Sequence, residues 1–205
     1  TTVSSDSLGS LTVHGHGGTN SASALDTTAA GDLWDNTLGI TTAANTPQAV
    51  TSGDNLVVYT LPTLAEGVSI SASYASAGEN LEGSTALGLT YTGVEGLSVS
   101  LGKGDNSGTV GVTQEQTIMK ASYAYGPITV GYSNNDYDHT TAANDQETTS
   151  FNVAYTLTDS ISIAYGEEEI DNNTDTSEVE VEGITATYTA GGMTLTAKSV
   201  SADNV

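Results

Sequence analysis

The chain has 205 residues, with 25 Asp and Glu set against three Lys, no Arg and no Cys, and a formal charge of −22. Nothing in it can neutralise a run of phosphates, which excludes nucleic-acid binding, or build a polybasic patch for a membrane surface. The missing thiols exclude disulfides, thiolate metal sites and thiol catalysis, no apolar run approaches the ~20 residues of a transmembrane helix, and residues 1–13 do not read as a signal peptide, having neither a basic start nor an apolar core.

In chain order, the first predicted strand is "SLTVHG", Ser10–Gly15. It is followed by Gly15–Asp54, roughly forty residues with neither strand nor helix period, a length that compact domains reserve for functional or disordered loops. This loop carries "GDLWDNTLG", residues 31–39, where the single Trp of the chain, Trp34, stands between Asp32 and Asp35. From Leu56 onward a period of two recurs, the mark of half-buried strands. "NLVVYTLP" leads. "VSISASYAS" then puts Val68, Ile70, Ala72 and Tyr74 on one face against Ser69, Ser71 and Ser73. "ALGLTYTG", "GLSVSLGKG", "IMKASYAYG", "PITVGYSN", "SFNVAYTL", "SISIAYG", "GITATYT" and "GMTLTAKS" repeat the pattern, each with Leu, Ile, Val, Met, Phe or Tyr on one face. Their other face is mostly Ser, Thr and Gly, with Asn152, Lys120 and Lys198. The total is about eleven antiparallel strands. One stretch breaks the pattern: in "EVEVEG", Glu180 and Glu182 share the parity of Ile184. Either that strand end rises above the apolar zone, or a bulge resets the phase.

The connections alternate strictly in length. Short ones fall at Thr63–Glu66, Gly93–Glu95, Gly126–Pro127, Thr158–Asp159 and Ala190–Gly191, and long ones at Gly15–Asp54, Ser76–Ser84, Gly104–Glu115, Asp136–Glu147 and Glu168–Glu178. Short turns at one end and long loops at the other describe a transmembrane β-barrel wall, an up-and-down meander. One Phe and one Trp are thin filling for a soluble core of this size, whereas a face that only meets lipid needs no more than Ala, Val, Ile and Leu. The tyrosines fall at two heights. Tyr59, Tyr91, Tyr125, Tyr155 and Tyr188 lie near the short turns, and Tyr74, Tyr132 and Tyr165 near the long loops, as two aromatic girdles would. The competing reading is a secreted or surface-attached β-sandwich or adhesin that binds a partner and has no pore; it predicts large residues on both faces of some strands.

These residues carry a resemblance. "SGDNLVVYTLPTLAEGVSISASYA" (Ser52–Ala75), "GDLWD" in the loop before it, and the hairpins "ASYAYGPITVGYS", "FNVAYTLTDSISIAYG" and "ATYTAGGMTLTAKS" resemble the general porins of Gram-negative bacteria, of the alphaproteobacterial type. The resemblance covers nearly the whole chain, as pattern more than signature. It implies an outer-membrane barrel of about sixteen strands, a homotrimer when complete, embedded among lipid and lipopolysaccharide. The third extracellular loop would fold into the pore. With Gly15–Asp54 as that loop, residues 1–205 are a single barrel domain in fragment, lacking the first strands and the closing one, and an open wall of this kind does not insert alone because its edges stay unpaired.

The function so implied is passive diffusion of small hydrophilic solutes and cations through a water-filled lumen, without catalysis or a cofactor. Asp26, Asp32 and Asp35 are the expected constriction carboxylates, which attract cations and repel anions in a narrow passage; the bland alternative is that they solvate the loop, or that Asp32 and Asp35 cap a turn. Trp34 sits in the same constriction and anchors the loop to the wall. Lys120 and Lys198 have lumen parity and supply basic charge facing the loop, while Lys103 has the apolar parity and meets lipid headgroups. His14, His16 and His139 show no metal-ligand spacing. The remaining acids gather in the other long loops, where they are solvated or form a negative mouth; such carboxylates also suit Ca²⁺ bridging to an anionic leaflet, with no residue assigned to it.

Overall fold

The computed structural model describes the chain except at residues 32, 34–45, 51–53, 78–82, 110, 175–177 and 205. Among the described residues, twelve strands form one antiparallel sheet in chain order, each hydrogen-bonded to the next. They are β1 (Thr2–Ser5), β2 (Gly9–His14), β3 (Leu56–Thr60), β4 (Val68–Ala75), β5 (Ser84–Tyr91) and β6 (Leu97–Thr109), then β7 (Val112–Tyr125), β8 (Ile128–His139), β9 (Gln146–Thr158), β10 (Ile161–Asn172), β11 (Val179–Ala190) and β12 (Met193–Asp203). The all-β meander is as the sequence pattern implied. The count is one higher than the periodicity gave, because β1 has no apolar face to mark it and is defined only by its pairing, Thr2 with Thr12 through Ser5 with Gly9.

The strands exist because two side-chain sets alternate along them. One face of the sheet carries Leu11, Val13, Tyr59, Leu87, Leu101, Met119, Val130, Phe151, Ile163, Ile184 and Leu195, all exposed. Cross-strand partners keep that face in phase, for example Val130 opposite Tyr123 and Val153. The other face is buried under the long loop at Ser73, Gln116, Ser133, Asn135, Thr148, Ser150 and Glu168. A soluble sandwich would bury its apolar face; here the apolar face is the outer one, as in a membrane barrel.

Short turns close one end of the sheet. Gly191 and Gly192 sit at φ +58° and +80° between β11 and β12, the double left-handed geometry of a type I′ hairpin. At Gly96 (φ +78°) a Cβ would stand 2.2 Å from the Ala124 carbonyl oxygen of the next hairpin, so no other residue fits. At the opposite end three connections expected to be long loops are mostly strand. β6 and β7 continue to Thr109 and Val112, β8 and β9 close over Thr140–Asp145, and β10 runs on to Asn172. Their outward side chains turn polar, which removes the sequence signal, but the backbone ladder continues.

That extension answers the phase question at β11. Its pairing with β10 runs without a shift from Ile161–Tyr188 to Ile170–Val179, so there is no bulge. Glu180 and Glu182 stay on the outer face because the strand rises beyond the apolar band. Their neighbours do the same: Asp136, Glu147 and Asp171 share one rung, Glu169, Glu180 and Asp203 another, and Glu167 opposes Glu182. Most acids assigned to the loops thus form a belt on the outside of the wall. Tyr165 marks its lower border, its hydroxyl donating to Glu167 (2.9 Å) and Glu182 (3.2 Å).

The two zones of the outer face respond differently to charge. Val130→Arg, in the apolar band, is expected to cost about 2–4 kcal/mol of folding stability in phospholipid vesicles. Thr149→Arg, in the acidic belt beside Glu147 and Glu169, is expected to cost nothing measurable in the same urea titration.

Candidate functional site

The described residues of the segment between β2 and β3 lie against the inner face and cross it from β4 to β12. Its path starts at a turn built by Asn20, whose Oδ1 accepts the backbone N–H of Ala22 (3.0 Å) and Ser23 (2.8 Å). The Ser21 N–H then donates to Ser73 Oγ on β4 (3.0 Å). Further on, the backbone N–H groups of Ala29 and Ala30 both donate to Ser150 Oγ on β9. Leu33 N–H donates to Glu168 Oε2 on β10 (3.0 Å), and Lys198 Nζ on β12 donates to the Gly31 carbonyl (3.2 Å). A loop in this position is dry on one side, so its backbone groups need partners there. Here the wall supplies them from four strands, β4, β9, β10 and β12.

A returning leg, residues 46–50, docks higher on β7–β9. Val50 N–H donates to Gln116 Oε1 (3.2 Å) and Gln48 N–H to Gln146 Oε1 (2.7 Å). Gln116 Nε2 donates to Asn135 Oδ1 (2.7 Å), and Asn135 Nδ2 donates to the Gln48 carbonyl (3.0 Å). The two legs are joined where Ser23 Oγ donates to the Val50 carbonyl (2.7 Å). At the root, Asp54 Oδ1 accepts the Gly17 N–H (2.9 Å) and contacts His16 Nδ1 (2.8 Å). The Gly17 bond first, and the His16 bond second, hold the Asp54 carboxyl below its ordinary range.

Close approach requires short wall side chains. Gly102, Gly104, Gly131, Gly166 and Gly183 lie under Ala22, Leu25, Ala29, Ala30 and Leu33. A Cβ on Gly166 would sit 2.8 Å from Ala30 Cβ, and one on Gly183 the same distance from Leu33 Cδ2. Leu33 itself is 1% exposed and fills an apolar cluster of Ile170, Val179 and Val181, backed by Ala30, Val200 and Ala202. This is the main apolar core on the inner face, and its purpose is to seat the loop.

The residues singled out from sequence fall as follows. Asp26 and Lys120 form an ion pair with each other, and Lys120 Nζ also donates to the Thr28 carbonyl (2.6 Å). Asp26 Oδ1 accepts the Thr28 N–H (3.1 Å), so this carboxylate shapes its own turn as well. Lys120 and Lys198 therefore both touch the loop instead of facing it across open space. Asp32, Trp34 and Asp35 lie outside the described residues. Tyr59, Tyr74, Tyr91, Tyr125, Tyr132, Tyr155, Tyr165 and Tyr188 all stand on the outer face by register. Lys103 is also on that face and pairs with Glu115 (3.7 Å). Among the described residues no cluster of His, Asp and Glu could hold a metal ion.

Three residues were missed: Leu33, Glu168 and Tyr137. Glu168 and Tyr137 were findable by parity: counting from Tyr165 on the outer face turns Glu168 inward, and counting from Tyr132 turns Tyr137 inward, unlike the other tyrosines named above. Leu33, in a segment without a strand period, had no such sign.

The sequence pattern of the Gram-negative porins matches residues 2–204. No curated protein matches the chain. Among solved structures, outer-membrane expressed OmpT of Vibrio cholerae superposes with a TM-score of 0.64 at 19% identity, over 96% of this chain and 67% of its own. A refined porin structure gives 0.65 at 18% identity, over 96% of this chain and 73% of its own. An anion-selective porin from Comamonas acidovorans gives 0.52 at 17% identity, over 66% of this chain and 44% of its own. At these identities the likeness shows the fold, and this chain spans part of the length of each.

Removing the Glu168 carboxylate should loosen the segment selectively. Glu168→Ala leaves the Leu33 N–H without its acceptor, a loss of about 1–3 kcal/mol. Limited proteolysis is expected to cut between β2 and β3 sooner while the strands stay protected, and Glu169→Ala, on the outer face, is expected to change nothing.

Proposed function

This chain belongs to the Gram-negative porin family, and on that premise we propose that it forms the wall and constriction of a cation-preferring diffusion channel for small hydrophilic solutes. It is an outer-membrane channel protein. The observation that carries the finer reading is that the described residues of the β2–β3 segment, 20–31, 33 and 46–50, lie along the inner face from β4 to β12. An inward segment pinned at both legs narrows whatever lumen the wall encloses. The twelve strands are read as one stretch of a larger closed barrel, since an exposed ladder edge cannot sit in lipid. That barrel, by family resemblance, assembles as a homotrimer among lipid and lipopolysaccharide.

Charge bookkeeping along the passage supports the cation preference and sharpens its source. Glu168 is the only acid on the inner face of the described strands, and it is buried under Leu33. Asp26 is matched by Lys120. The balance of mobile charge at the constriction therefore rests on Asp32 and Asp35 of "GDLWD" against Lys198. Fixed carboxylates in a narrow, partly dehydrated passage favour cations. The outer belt adds little, because it faces away from the passage and is screened within ~8 Å at physiological salt.

Reversal potentials in planar bilayers test this on the complete protein. Replacing Asp26, Asp32 and Asp35 together by Asn is expected to lower the cation-to-anion permeability ratio severalfold. Lys120→Gln, which frees Asp26, is expected to raise it. An unchanged reversal potential in the triple variant would remove the constriction assignment.

A further inference from the structure

Above the constriction, at the end of the wall away from the tight turns, the inner face opens into a cavity of about 490 Å³. Its lining draws on four strands and the connection between β8 and β9: Gln114 from β7, Tyr137 and His139 from β8, Asp145 at the end of the connection, Gln146 at the start of β9, and Asn172 from β10. Gln48 of the returning leg forms its floor. We infer that this cavity is a binding subsite for a neutral, polyhydroxylated solute of monosaccharide or disaccharide size, which the channel takes up at its mouth before the constriction. The inference rests on the porin reading only for the direction of passage; the cavity stands without it.

The chemistry of the lining selects the solute class. It has no Lys, and its one formal charge is Asp145, whose Oδ1 is already engaged by the His139 N–H (2.8 Å). Neither an anion nor a bare metal ion finds a counter-charge set there. Five side-chain amides line it instead, and an amide whose groups are not all engaged offers a donor and an acceptor in one plane, the arrangement that two neighbouring hydroxyls can meet. Gln146 fixes the lining and does not read the solute: its Nε2 donates to Asn172 Oδ1 (3.0 Å) and the Thr46 carbonyl (3.2 Å), and its Oε1 accepts from Gln48 N–H. His139 Nδ1 accepts the Thr141 N–H (2.9 Å), which leaves the proton of the neutral ring on Nε2 as a further donor. Tyr137, 5% exposed, contributes an aromatic wall for the C–H face of a sugar ring.

One group is left without a partner. The Gln114 side-chain carbonyl is buried and accepts no hydrogen bond among the described residues. A buried acceptor without a donor is costly, and a solute hydroxyl bound in this cavity relieves that cost after a small turn of the amide. Lining groups fixed in advance lose little freedom on binding, and a volume of this size lies within the range of small-molecule sites.

The test has one arm that uses current and one that does not. In planar bilayers, glucose is expected to reduce the conductance of the complete protein saturably and to add excess noise, while poly(ethylene glycol) of equal hydrodynamic size lowers current only in proportion to bulk conductivity. Gln114→Leu, which breaks no existing side-chain hydrogen bond among the described residues, is expected to weaken the glucose effect at least about fivefold. Saturation-transfer NMR on the detergent-solubilised protein should show transfer to glucose protons that is lost in Gln114→Leu and in Tyr137→Leu. Absence of transfer from the unaltered protein overturns the inference whether or not the protein conducts. Transfer together with absent conductance upholds the subsite and counts against the channel reading alone.

Discussion

A polypeptide segment can lie flat against a β-wall only where the wall's side chains are short and its own backbone groups find partners. Both conditions are met along one track on this sheet. Gly102, Gly131, Gly166 and Gly183 provide the space, and Ser73, Gln116, Gln146, Ser150 and Glu168 provide the acceptors. The rest of the molecule follows from that docking. The inner face has to be small and polar, so the apolar residues are left to the outer face, where lipid replaces a core. Glu168 and Leu33 act together at the far end: one accepts a backbone N–H, the other fills the Ile170–Val179–Val181 cluster.

Charge is sorted by the same division. Nearly all acids of the strands stand on the outer face beyond the apolar band, where like-charged rungs such as Glu169–Glu180–Asp203 are tolerated because water screens them. Cross-strand like charges are unfavourable by a few tenths of a kcal/mol each in general, and the strands carry them on backbone pairing that continues past the bilayer. The inner face keeps two lysines, each tied to the loop it faces. A transverse field between loop acids and distant wall bases is therefore not the arrangement at Asp26, where acid and base touch.

The fold was legible in the sequence because a period of two is a local signal. Val68, Ile70, Ala72 and Tyr74 declare their face without reference to any other strand. The upper strand ends were not legible, because "NNDYDH" and "GEEEIDN" lose the apolar outer face that marks the lower strands, and only a hydrogen-bonded ladder reveals them as strand. The site was legible in outline. The long loop stood out by length, although nothing local marked the Ser, Thr and Gly face as its seat. The pairing of Asp26 with Lys120, 94 residues apart, had no local sign. Glu168 was hidden for a different reason: in a run of three glutamates it read as solvated, although the middle of such a run in a strand must point the other way from its neighbours.

The docking itself is open to a direct measurement, helped by a chain that has no cysteine of its own. A Cβ on Gly131 would lie 3.3 Å from the Cβ of Ala29, close to the separation that a disulfide bridges. In the complete protein folded in native membranes, Ala29→Cys combined with Gly131→Cys is expected to oxidise rapidly to one cross-linked species, with single-channel conductance unchanged. If the pair stays reduced under oxidant while the barrel is folded, the segment does not rest on the inner wall, and the account of the constriction fails with it.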